Sequence, residues 1–318
     1  MARRYLLSID GGGVRGIVPA LALARLEEIT GRLTRETFSF VAGTSTGAIL
    51  AAAVAAGLPA EQLVTLYRNR TRDIFRPRKP WNEIRRVLIG HKYDIVHLLE
   101  VLADEFGAAA AWTLNDSPID LLLTAKRLAD AKPWYFVRNN PNNSGATGHL
   151  GLIDCATASA AAPTYFDPWP MAHPVDGKLV DGGVGVTGNP VYQASVEAFC
   201  YSQGYVPEET TIVSFGTGRI RRQGDPRFIL SWFTWVVDTL LHAPEKQQTQ
   251  LVARHFPAAL FYRLDPVLAE DINLDDIARI PELEAAGRQF VDQIDWPAIL
   301  RGDPSPFQVH SPKCPGQP

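Results

Sequence analysis

Short apolar runs alternate with longer segments of helical period along most of this chain. Residues 5–9 (Tyr-Leu-Leu-Ser-Ile) are too few for a helix and end in a glycine loop, which predicts a strand. Residues 17–29 follow with apolar positions at helical spacing, and Pro19 falls in the first turn, where its missing N–H costs nothing. A second strand is predicted over 37–42, ending at Gly43. The alanine-rich run 48–56 reads as a buried helix that Gly57 and Pro59 stop. Residues 60–107 carry an amphipathic helical pattern broken at Pro77 and Pro80. Short strand-like runs recur at 133–137, 150–153, 178–180 and 211–215. Asn189-Pro190 has the chemistry of a helix start, Asn as the cap and Pro at the first position. From about 226 to 295 the pattern is helical again, and 302–318 is rich in proline and polar residues, as expected of a loosely attached tail.

Strands alternating with helices predict an α/β fold with helices on both faces of a mostly parallel sheet. No repeat or linker divides the chain, so residues 1–300 are expected to form one domain and 301–318 a tail. Composition narrows this little. With 46% apolar and 20% charged residues, the 318-residue chain has ample material for a core. Its net charge of −3 gives no reason to expect a nucleic-acid partner. Cys155, Cys200 and Cys314 are odd in number and lack metal-ligand spacing, which suits a reducing, cytoplasmic compartment better than a disulfide scaffold. Neither a signal peptide nor a bilayer-spanning run is expected; the longest apolar stretch, 228–241, is interrupted by polar residues.

Three glycine-rich segments carry the candidate chemistry. In Asp10-Gly11-Gly12-Gly13-Val14-Arg15-Gly16, the spacing of Gly11, Gly13 and Gly16 invites a dinucleotide-binding reading. The next strand, however, lacks the acidic residue that would hold a ribose, and no Gly-Lys-Ser/Thr follows to make a P-loop. What is left is a run of unhindered backbone N–H groups before a helix, with Arg15 as a nearby cation: a cradle for a developing oxyanion. Gly43-Thr44-Ser45-Thr46-Gly47 has the spacing of a nucleophile elbow between a strand and a helix. Its glycines let the two elements approach closely, and Ser45 sits where the helix dipole favours an anion. The plainer reading of that serine is a helix cap.

A serine hydroxyl needs a base. Of the seven histidines, the three that follow Asp181 (His242, His255 and His310) fall in expected helices or the tail rather than in a loop at a strand end. Asp181, before Gly182-Gly183, ends a short strand and is either a turn residue or a base that bonds the serine directly.

In this order, the three segments resemble the patatin-like phospholipase family. The small-residue run 154–166 ending Ala-Ala-Pro-Thr-Tyr-Phe, the stretch 212–218, and Phe-Tyr-Arg-Leu-Asp-Pro at 261–266 extend the resemblance over about residues 5–290. The resemblance implies a three-layer α/β/α sandwich and a lipid acyl hydrolase that works without metal or cofactor. It implies Ser45 as nucleophile, Asp181 as general base, and the Gly11, Gly12 and Gly13 N–H groups as oxyanion hole. Arg15 stands at the family's basic position, and Gly16, Gly43, Gly47, Gly182 and Gly183 support the turns. Two other readings stay open: a histidine-dependent serine esterase, and a nucleotide-regulated effector whose glycine loop binds a ligand.

An enzyme acting on a phospholipid or another acyl-lipid must reach an interface. Residues 68–92 hold nine Lys and Arg against Asp73 and Glu83, a local charge of +7, with Phe75, Trp81 and Ile84 among them. That composition suits peripheral contact with an anionic membrane. Phe228, Trp232, Phe233 and Trp235 form a second candidate, as an acyl pocket lining or a mobile cover.

Overall fold

The structure is a computed structural model that describes residues 3–77, 91–142, 146–220, 246–270 and 272–310. The strands are β1 (Arg4–Ile9), β2 (Phe40–Thr44), β3 (Asp120–Arg127), β4 (Pro133–Val137), β5 (Trp169–Met171), β6 (Gly177–Asp181), β7 (Thr210–Phe215), β8 (Arg219–Ile220), β9 (Leu260–Leu264) and β10 (Val267–Leu268). The helices used below are α1 (Ile17–Thr30), α2 (Thr34–Thr37), α3 (Thr46–Ala56), α4 (Ala60–Asn69), α5 (Thr71–Ile74), α6 (Ile95–Phe106), α7 (Leu152–Ser159), α8 (Val191–Val196), α9 (Ile280–Val291) and α10 (Trp296–Arg301).

Strands β3, β2, β1, β7 and β9 lie side by side and parallel, while β4, β5 and β6 add antiparallel pairings at the β3 end. Along each central strand, successive side chains enter opposite layers, as the period of two requires. Leu7 and Ile9, Val41, Leu121 and Leu123, Val213 and Phe215, Tyr262 and Leu264 join one buried cluster with α1, α3, α4, α6, α7, α9 and α10. Leu6, Phe40 and Ala42, Leu122, Ile212 and Phe261 join the other, with Val191 and Ala194 of α8 and Val252 of the helical stretch 246–255. This is the expected three-layer α/β/α sandwich with a mostly parallel sheet.

The register at β3 decides where the site forms. β2 pairs with residues 120–124 of β3, and β4 overlaps that span at 122–126, so the two occupy opposite edges. β6 pairs with residues 125–127, which overlap β4 again, so β6 lies on the same edge as β2. The two strands meet head to head: β2 ends at Thr44 opposite Thr124, and β6, running the other way, ends at Asp181 opposite Ala125. The residues that follow each end, Ser45 and Gly182, are thereby brought together.

Several expectations shift. Within the run 150–153, Gly151 makes only an isolated bridge to Thr113 and Leu152 begins helix α7; so short a run is too little for periodicity to separate strand from helix. β3 escapes a pattern search because its Leu121-Leu122-Leu123 is buried on both faces and so does not alternate. Within 226–295, β9 and β10 interrupt the predicted helices, because Phe261 and Tyr262 suit an extended backbone buried in the sheet. Residues 307–309 are not loose: the Arg263 N–H donates to the Phe307 carbonyl and the Val309 N–H to the Phe261 carbonyl.

Candidate functional site

Ser45 occupies the turn between β2 and α3 with φ 55° and ψ −124°, a conformation that costs a side-chain-bearing residue about 1–3 kcal/mol. The flanking glycines explain how the turn closes. A Cβ on Gly43 would lie 2.1 Å from the Gly47 carbonyl oxygen, and one on Gly47 would lie 2.2 Å from the Ile9 carbonyl oxygen. The Ser45 carbonyl accepts from Ala48 N–H at 2.9 Å and starts the helix. As a cap, then, Ser45 acts through its backbone; its hydroxyl makes no capping bond and lies beside the Asp181 carboxyl, on which it has a lowering effect.

Asp181 is 5% exposed. Burial pushes its carboxyl up to about 6, against smaller opposing effects from the Ser45 hydroxyl and from the Gly183 N–H, which donates to Oδ1 at 2.6 Å. Its partners are held by threonines. Thr44 Oγ1 donates to the Thr187 carbonyl at 2.6 Å, so Thr124 Oγ1 is the donor in its 2.6 Å contact with Thr44 Oγ1. Thr187 Oγ1 in turn donates to the Gly182 carbonyl at 2.5 Å. Gly182 has no room for a side chain, since a Cβ would fall 2.2 Å from Thr124 Oγ1.

The glycine loop runs from β1 over this serine. Its three N–H groups are not equivalent. Gly11 N–H donates to the Gly188 carbonyl at 3.0 Å and is unavailable to a ligand. Those of Gly12 and Gly13 have no acceptor among the described residues. Arg15 accounts for the orientation of the second: its backbone N–H (3.2 Å) and its Nε (3.3 Å) both donate to the Gly12 carbonyl. A trans peptide points its C=O and N–H in opposite directions, so clamping the Gly12 carbonyl aims the Gly13 N–H the other way. Gly12 packs on Thr217, whose Oγ1 donates to the Gly11 carbonyl at 2.7 Å, and Gly13 (φ +58°) packs on the Leu274 backbone. Gly16 leaves space for the Tyr67 hydroxyl, which is bonded to Thr46.

Behind the loop, Asp10 is almost wholly buried and held by Arg263 through its two terminal guanidinium nitrogens, at 3.0 and 2.5 Å. Arg263, Thr217 and Ser159 are parts of the site that the motifs alone did not single out. Their signals were the Arg in Phe-Tyr-Arg-Leu-Asp-Pro, the Gly216-Thr217-Gly218 turn after β7, and the small-residue run 154–166.

Ser45 and Gly13 open into an apolar pocket lined also by Ile49, Leu66, Phe75 and Tyr165, with about 60 Å³ of open space. No histidine hydrogen-bonds Ser45 or Asp181 among the described residues. His255 pairs with Tyr192 at 2.9 Å on the far side of the sheet, His310 is exposed, and His242 lies outside the described residues. No group of metal-ligating side chains is present among the described residues.

The basic segment is less open than its composition implies. Arg68 is paired to Glu284 and Glu61, Arg70 to Asp73, Asp104 and Glu105, and Lys92 to Asp275. Arg72 and Arg76 are exposed, while Arg78, Lys79, Trp81, Arg85 and Arg86 lie outside the described residues, as do Phe228, Trp232, Phe233 and Trp235. No described helix is long and apolar enough to cross a membrane.

A strained serine turn, a buried aspartate and a glycine loop over one apolar pocket define a class of α/β protein, and sequence comparison identifies the family. A model described as "Patatin-like phospholipase" matches residues 7–195, and the chain belongs to that family. It is 34% identical to a cGAMP-activated phospholipase of Escherichia coli (strain TW11681) over 206 residues, covering 62% of this chain and 56% of that one. It is 27% identical to the human calcium-independent phospholipase A2-gamma over 305 residues, covering 91% of this chain and 38% of the relative. The chain thus spans about half the length of the bacterial relatives it matches and less of the mammalian one. Among solved structures, VipD from Legionella pneumophila aligns at a TM-score of 0.44 with 14% identity, over 92% of this chain and 67% of that one.

Proposed function

We propose that this chain is a lipid acyl hydrolase that cleaves carboxylic esters through Ser45 and Asp181. The observation that carries the reading is an elbow serine set beside a buried carboxyl, with the serine itself lining an apolar pocket. With its carboxyl at about 6, Asp181 is mostly ionised near neutral pH and basic enough to accept a proton. Ser45 Oγ attacks the ester carbonyl as its proton passes to Asp181. The negative charge that develops on the carbonyl oxygen is met by the Gly12 and Gly13 N–H groups, each such donor contributing about 3 kcal/mol. As the tetrahedral intermediate collapses, the C–O bond to the alcohol breaks and Asp181 returns its proton to that oxygen. Water then gives a proton to Asp181 and attacks the acyl-serine; Ser45 leaves with the proton restored.

Family membership supports acyl-lipids as the substrate class, and the pocket supports an apolar acyl group. Product analysis by mass spectrometry on mixed phospholipids tests this. Fatty acid and lysolipid release by the wild type, lost in both Ser45→Ala and Asp181→Ala, is the expected result. Products unchanged in both variants would overturn the pair.

Contact with an anionic membrane through 68–92 rests on Arg72 and Arg76, exposed beside the pocket-lining Phe75, and on the composition of the rest of the segment. Reversing charge at Arg85 and Arg86 is expected to weaken binding to anionic vesicles; unchanged binding and turnover would remove this part of the proposal. The name of the bacterial relatives carries regulation by a cyclic dinucleotide to this chain as a second reading. Hydrolysis measured with and without cGAMP decides it: a rate raised by the nucleotide supports it, and an equal rate excludes it.

A further inference from the structure

The elbow and the aspartate are not bonded to each other through the sheet. β2 and β6 meet end to end on one edge of β3, so no ladder hydrogen bond joins them. A third segment touches both. The side chain of Ser159, the last residue of α7 and wholly buried, accepts the Ser45 N–H at 2.9 Å. Its backbone carbonyl accepts the Gly182 N–H at 3.4 Å, and two residues on, the Ala161 carbonyl accepts the Asp181 N–H at 3.0 Å. Thus residues 159–161 hold the nucleophile by its own amide and the base by its own amide.

From this we infer that Ser159 is a positioning residue for the reaction: its hydroxyl fixes the strained Ser45 backbone at the distance from Asp181 that proton transfer requires. The inference rests on the Ser45–Asp181 reading above. A non-glycine residue at φ 55° persists only where its surroundings over-determine it. The other bonds at Ser45 leave its N–H with one acceptor, Ser159 Oγ. Removing that oxygen strands a part-buried donor and lets the turn relax toward an ordinary backbone, which swings the hydroxyl off the carboxylate.

A purely structural serine makes a different prediction, and Ser195 supplies the comparison. It is also wholly buried, with its hydroxyl on the Val191 carbonyl at 2.8 Å in α8, in the layer on the other face of the sheet. Ser159→Ala is expected to lower kcat by about 10–100-fold with KM changed less than about twofold, because misplacing a reacting group by about an ångström costs on that order. The acid limb of its pH–rate profile should move upward, since the lowering effect of the Ser45 hydroxyl on the Asp181 carboxyl is weakened. Ser195→Ala should leave kcat and the pH profile where they are, whatever it does to Tm. Amide hydrogen exchange of a peptide covering 44–48 is a readout independent of turnover: protection should drop in Ser159→Ala and not in Ser195→Ala.

Unchanged protection at the elbow, or a kcat no lower in Ser159→Ala than in Ser195→Ala, would overturn the inference. Absence of ester hydrolysis by the wild type would instead count against the proposed function, and the exchange measurement would still decide whether Ser159 holds the turn.

Discussion

Asp181→Asn should stabilise the folded chain while it removes the proposed base, and the gain should depend on pH. The carboxyl titrates at about 6 in the folded chain, against an ordinary 3.8, because burial disfavours its charge. Between those values the folded state binds more protons than the unfolded one, so stability falls as pH rises through this window. Above pH 6 the whole penalty is in place. A separation of about two pH units at about 1.4 kcal/mol each makes it about 3 kcal/mol, of which about 2 develop between pH 4.5 and pH 8. Asparagine has nearly the same shape, still accepts from the Gly183 N–H through its amide oxygen, and does not titrate. Denaturant unfolding of both proteins at pH 4.5, 6 and 8 tests the reasoning. The stability difference in favour of Asp181→Asn should widen by about 2 kcal/mol across that range. A difference that stays constant, or that narrows as pH rises, would refute the burial of a charged carboxylate at this position.

The same titration sets the acid limb of ester hydrolysis: kcat/KM should fall tenfold per pH unit below about 6, and a limb near 4 would show that another group supplies the base. Arg263→Met, which leaves the buried Asp10 carboxylate without its bidentate partner, should cost about 3–5 kcal/mol in denaturant unfolding. A loss under 1 kcal/mol would mean that Asp10 finds other support. Arg15→Ala removes the Nε bond to the Gly12 carbonyl, leaving the weaker clamp of the backbone N–H alone, and should lower kcat by about tenfold with little effect on KM, as expected when an oxyanion donor is misaligned. A change confined to KM would assign Arg15 to substrate binding instead. Gly13→Ala puts a methyl group into the Leu274 carbonyl at positive φ and should abolish turnover even where the variant folds; wild-type rates would show that the loop relaxes freely.

How much of this was legible beforehand follows from the range of each signal. The elbow, the glycine loop and Asp-Gly-Gly are local patterns whose glycines answer to contacts within a few ångströms, so their positions could be read from the chain. Gly43 and Gly47 are small because each faces the backbone of a neighbouring element. What joins the segments is long-range. The head-to-head meeting of β2 and β6 depends on β3, whose three leucines in a row hide the alternation that marks a half-buried strand. The brace from Ser159 spans 114 residues and the Asp10–Arg263 pair 253, distances at which no spacing rule operates. The loss of Gly11 as an oxyanion donor was equally invisible, because its N–H is taken by Gly188, far along the chain. Charge counting over 68–92 missed these pairings for the same reason: Glu284, Asp104, Glu105 and Asp275, which pair with Arg68, Arg70 and Lys92, come from outside the segment.

Covalent labelling with a fluorophosphonate, followed by peptide mass spectrometry, tests the central claim most directly. Wild-type protein should carry one phosphonyl adduct, on Ser45, and Asp181→Asn should label at least about 100-fold more slowly because the hydroxyl has lost its base. An adduct on another residue, or equal labelling of Ser45 in Asp181→Asn, would contradict the account.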